Sequence, residues 1–74
     1  GEASVAFRVS QQSNVRVKLW NRLGEQTDQL VDATLPPGNH TLLWNPSGLP
    51  SGVWFLTLEE SGRFVSTVMF ATTR

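Results

Sequence analysis

Apolar and polar residues alternate with a period of two along most of this chain. In "SVAFRVS" Val5, Phe7 and Val9 share one face, with Ala6 and Arg8 on the other. The polar connection 11–14 leads into "VRVKLW", where Val15, Val17 and Leu19 point inward and Arg16 and Lys18 outward. "NRLGEQ" is a turn in which Gly24 supplies the positive φ of a compact reversal. A weaker strand follows around 27–32, then the breaker "LPPGN", then "HTLLW" with His40, Leu42 and Trp44 on one face. "WNPSGLPSGVWFLTL" interrupts the chain with two Pro and two Gly before a β-branched and aromatic run. The run places Trp54, Leu56 and Leu58 on one side, Val53 and Phe55 on the other. A turn at 60–62 precedes "RFVSTVMFA", where inward Val68 and Phe70 leave Val65 and Met69 outward.

Six strands emerge, with no helical period, and splitting the first or third would make a seventh. Short strands at regular spacing predict an all-β antiparallel sandwich or small barrel. Val5, Phe7, Val9, Val15, Val17, Leu19, Leu42, Trp44, Trp54, Leu56 and Leu58 are its expected core. Alternation fails in the last two strands, where Val53, Phe55, Val65 and Met69 form an apolar outer patch. Such a patch suits docking to a parent-protein domain, a secretion component or a second copy.

The length of 74 residues fits one domain, and without Cys neither a disulfide nor a thiolate metal site can brace it. Three Trp and four Phe are left to supply the core. Six basic and six acidic residues balance to zero, which points away from nucleic acid. No apolar run reaches the length of a membrane-spanning helix. The chain opens with Gly1 instead of Met and is expected to be a processed or excised piece of a longer protein.

Candidate chemistry is sparse. A hydroxyl nucleophile needs a neighbouring base, and the sole His, His40, falls beside Leu42 and Trp44, as a core ring bonded to nearby backbone. One His without Cys cannot hold zinc. Glu59 and Glu60 read as a solvated hairpin tip, not an acid/base pair. Gly48 and Gly52 precede a strand, whereas phosphate cradles feed a helix. The reading is a non-enzyme with no cofactor, no metal and no catalytic residue. Asn39-His40-Thr41 matches a glycosylation acceptor, while Asn45-Pro46-Ser47 is excluded by its proline. Arg8, Arg16 and Lys18 are expected to share an outer face, either as a solvated surface or as a docking patch for an acidic partner or anionic glycolipid. Trp20 is the one indole whose parity allows exposure, and one indole makes a poor sugar platform.

"NRLGEQ" (Asn-x-x-Gly-x-x), "PPGNHTLLWN" (Gly-x-His-x-Leu-x-Trp) and "GLPSGVWFLTL" (Leu-Pro-x-Gly-Val-aromatic) follow one another over about the last three quarters of the chain. In that order they resemble the C-terminal sorting domain of type IX secretion cargo and the related Ig-like domain of flagellar hook-capping proteins. The resemblance implies an Ig-like β-sandwich over 1–74, with Gly24, Gly38, His40, Trp44, Pro50, Gly52 and Trp54 as structural motif positions. It further implies a C-terminal module of a larger secreted or cell-surface protein, carried through the periplasm and across the outer membrane by secretion machinery. Two other readings stand beside it: an Ig-like accessory or linker module of a secreted enzyme, and a carbohydrate-binding module. A sorting signal is terminal in its parent, with Arg74 last, whereas a linker has domains on both sides.

Overall fold

The alternating segments become strands in the computed structural model, which describes residues 2–73. They are β1 (Ala3–Val9), β2 (Ser13–Asn21), β3 (Gln26–Leu35), β4 (Gly38–Trp44), β5 (Gly52–Glu60) and β6 (Arg63–Thr72). β1 and β4 pair as a two-stranded sheet, and the others form a four-stranded sheet in the order β3-β2-β5-β6. Every pairing is antiparallel. The molecule is an all-β sandwich of six strands. The chain changes sheet at 10–12, at 36–37 and over 45–51, so only β2–β3 and β5–β6 are hairpins. The terminal residues Gly1 and Arg74 lie outside the described part.

The core forms where the inner faces meet. Val9, Val15, Val17, Leu19, Trp54 and Leu56 are buried, with Val5, Phe7, Leu42, Trp44 and Leu58 half-buried against them. All the expected core positions therefore join one cluster. Leu30, Val31, Leu35, Leu49 and Phe70 join it as well. Leu30 and Val31 are neighbours, which strict alternation would send to opposite faces. The register explains them: Val17 pairs with Val31 and Lys18 with Gln29, leaving Leu30 as the extra residue of a β-bulge.

Val68 departs from expectation. It lies opposite Leu56, on the inner side, yet remains 46% exposed. A two-stranded sheet is too narrow to roof four strands, because each strand covers only about 5 Å of width. A cleft of about 50 Å³, lined by Val5, Phe7, Leu56 and Val68 among others, opens at this uncovered flank.

The Pro- and Gly-rich stretch between β4 and β5 is the strap that carries the chain from one sheet to the other. Asn45 caps a 3₁₀ turn at Pro46–Gly48, its Oδ1 accepting the Ser47 N–H at 3.0 Å. The Pro50 carbonyl then accepts two donors, the Trp54 indole N–H at 3.1 Å and the Thr72 hydroxyl at 2.7 Å. One carbonyl thus ties the strap to the start of β5 and the end of β6. Trp44 and Phe70 meet edge to face at 5.3 Å just inside this strap.

Candidate functional site: the strap pole and the outer sheet face

Two of the three sequence motifs meet at one pole of the sandwich. Asn21 closes the β2–β3 turn: its Oδ1 accepts the N–H groups of Leu23 at 2.9 Å and Glu25 at 3.0 Å, and its Nδ2 donates to Glu25 Oε1 at 2.8 Å. Gly24 adopts φ 82°, as the turn requires. Asn21 also pairs with Trp54 across β2 and β5, which sets the turn beside the strap. Residues 21–23 and 50–54 enclose a recess of about 230 Å³, with Leu23 exposed at its rim. Pro50, Gly52 and Trp54 thus stand next to Gly24's turn. Trp44 and its β1 partner Ala3 end the other sheet at the same pole, and Thr72 lies opposite Gly52. β1 therefore begins, and β6 ends, at this one pole. Gly38 and His40 sit at the far end of β4, where Gly38 pairs with Val9 and His40 with Phe7.

The outer face of the four-stranded sheet carries the apolar positions. Trp20 pairs with Phe55 and Phe55 with Met69, so one row crosses β2, β5 and β6. Val53 lies two residues along from Phe55 and is exposed, while Met69 is 66% exposed and Phe55 is half-buried between its neighbours. Val65 is exposed and has no partner, because Leu58 pairs with Ser66 and Glu59 with Phe64 across a bulge. That shift also puts Phe64 opposite Glu59, adding an exposed aromatic to the face of Phe55 and Met69.

The three cations expected on one face do not share it. Arg8 belongs to β1 in the two-stranded sheet, where its guanidinium reaches Asn39 Oδ1 at 3.5 Å. Arg16 and Lys18 are on β2, and each has an acidic partner. Arg16 meets Asp32 at 3.4 Å with both side chains nearly half exposed (45% and 44%). Lys18 meets Glu59 at 2.9 Å with 18% and 20% exposure. Glu59 is accordingly not a solvated hairpin tip: the turn is Ser61–Gly62, and Glu59 lies within β5. Exposed ion pairs contribute little, while shielded, short ones cost more to break. Glu59→Gln is therefore expected to lower stability by about 1–2 kcal/mol and Asp32→Asn by less than about 0.5 kcal/mol, read from urea denaturation midpoints. Equal losses would show that the shielding of Lys18 and Glu59 confers no advantage.

His40 stacks on Phe7 with ring centroids 5.7 Å apart, and its Nε2 bonds the Pro36 carbonyl at 2.7 Å. It acts as a brace between β4, β1 and the preceding loop. Among the described residues no group of three His, Cys, Asp or Glu is placed to hold a metal. Among the described residues no helix is long and apolar enough to cross a membrane. The indoles form no shared platform. Trp54 is buried, Trp44 is half-buried against Phe70, and Trp20 donates its N–H to Thr57 Oγ1 at 2.8 Å within its own sheet. Asn39, of the glycosylation pattern, is exposed on β4.

Phe64, the capping role of Asn21 and the acceptor role of the Pro50 carbonyl are what the sequence alone did not show. Asn21 had a local signal, an Asn three residues before a turn Gly. The other two depend on a bulge and on a contact spanning 22 residues. Comparison with protein-family models, with curated proteins and with solved structures finds no match to this chain.

Proposed function

We propose that this chain is a non-catalytic C-terminal sorting module that directs a secreted cargo protein across a bacterial outer membrane through the type IX machinery. The observation that carries the reading is the convergence of the "NRLGEQ" and "GLPSGVW" motifs on one pole, around the recess between residues 21–23 and 50–54. Motifs that served only their own turns would have no need to adjoin. Their adjacency supports a surface read as a unit, with Arg22 and exposed Leu23 beside a strap held by Pro50.

Residues 1–74 fused to an inert periplasmic reporter are expected to carry it outside a type IX-competent cell. They should fail to do so in a strain lacking the machinery. A reporter that stays periplasmic while the domain keeps its β-type circular dichroism would overturn the sorting role and favour an accessory module. The domain should add no turnover of its own, and a hydrolytic activity abolished by His40→Ala would refute the non-catalytic reading.

A further inference from the structure

The four-stranded sheet has two edges, and they differ in chemistry. β3 is guarded: it carries Asp28 and Asp32, and its register with β2 is broken at two places. Charges and bulges of this kind keep an edge from pairing with another strand. β6 has far less protection. From Phe64 to Thr72 it contains no charged residue, no Pro and no Gly, and its one register break lies near its start. Its first seven residues are exposed, with Met69 and Phe64 both at 66%. A long, uncharged strand with an unpaired backbone edge is a template for strand addition.

We infer that β6 is a homodimer edge, pairing antiparallel with β6 of a second copy to join the two four-stranded sheets into one. Two features of this strand select a second copy. An acidic or basic partner would find no opposite charge along Phe64–Thr72, whereas an identical uncharged strand meets neither repulsion nor a buried unpaired charge. The bulge-free stretch is Ser66–Thr72, and its middle residue is Met69. A two-fold axis at Met69 sets Val68 against Phe70 on the inner side, Thr67 against Ala71 on the outer side, and Met69 against its own counterpart. Every one of these pairs joins residues from the same face, as antiparallel pairing across a two-fold demands. Val68, left outside the roof of the sandwich, gains a cover that its own two-stranded sheet does not supply. Two strands of this length cover on the order of 1,000 Å² in total, the low end for specific interfaces, so the dimer is reversible. This inference stands independently of the sorting role.

The chain contains no Cys, so Met69→Cys introduces a single thiol at the proposed axis. Directly opposed residues in an antiparallel pair lie about 4.5–5.5 Å apart at Cα, within disulfide range. Under mild oxidation Met69→Cys is expected to form a covalent dimer at least tenfold faster than Gln29→Cys on the guarded β3 edge. In sedimentation the unmodified chain should pass from monomer to dimer with rising concentration. Thr67→Lys and Val68→Lys, both at exposed positions, should each raise the dimer dissociation constant by tenfold or more while retaining the parent circular dichroism. Equal cross-linking of the two thiols, or an unmodified chain that remains monomeric to millimolar concentration, would overturn the proposal. So would a dimer unaffected by whichever lysine variant stays folded.

Discussion

Trp54→Ala is expected to remove a large share of the protein's stability and shift its unfolding transition to far lower urea. Trp54 is only 8% exposed, pairs with Asn21 on one side and Phe70 on the other, and anchors the strap through the Pro50 carbonyl. Truncating a buried Trp costs about 3–5 kcal/mol through lost transfer energy and the cavity left behind. A domain of this length has about 4–11 kcal/mol to lose. The substitution also leaves the Pro50 carbonyl with Thr72 as its one remaining side-chain donor, loosening the junction of β5 and β6. Urea denaturation followed by circular dichroism checks the result. Trp20→Ala is the matched control, since Trp20 lies half-buried on the outer face and its loss should cost far less. A Trp54→Ala variant with a cooperative transition near that of the parent would show that the core does not depend on this indole.

Gly52→Ala is expected to destabilise by about 1–3 kcal/mol, while Gly48→Ala four residues earlier is neutral or slightly stabilising. The two glycines belong to the same strap, and a Cβ built at either meets nothing within 4 Å. Steric crowding therefore cannot distinguish them. Backbone conformation does: Gly52 sits at φ 147°, a region that L residues with a side chain rarely adopt, whereas Gly48 is in the short 3₁₀ turn. At Gly52 the strap turns into β5, and its angle aims Trp54 inward. Alanine there must either strain the backbone or turn the strand, and turning it would disturb the Pro50 bond to Trp54. At Gly48 alanine reduces the freedom of the unfolded chain without native strain. Thermal melts of the two variants give the comparison, and equal midpoints would remove the conformational argument for Gly52.

Convergence of motifs is the part of the candidate site least legible along the chain. "NRLGEQ" and "GLPSGVW" are separately recognisable as turns, because Gly, Pro and Asn declare their conformations locally. Their meeting depends on Asn21 pairing with Trp54, a contact across 33 positions that β2–β5 pairing creates. The shared outer face expected for three cations failed for the same kind of reason. Arg8, Arg16 and Lys18 share a parity, but parity places a residue on a face of its own sheet without saying which sheet that is. β1 and β2 belong to different sheets, so equal parity put Arg8 away from the other two.

The sequence alone determined the number of strands, their approximate bounds and the face that most side chains take. Each follows from period-two alternation, which is a property of one strand and its local backbone. The inward sets of β1, β2 and β5 were readable for that reason, as was the turn before β6. Only the tertiary structure decided the partners of each strand, the two-and-four division of the sheets, and the bulges that bring Leu30 in and put Phe64 opposite Glu59. Those depend on which strands compete for a neighbour, and no local periodicity encodes the outcome. Val68 shows the consequence: its inward parity was legible, but its exposure follows from a roof two strands wide over a floor of four.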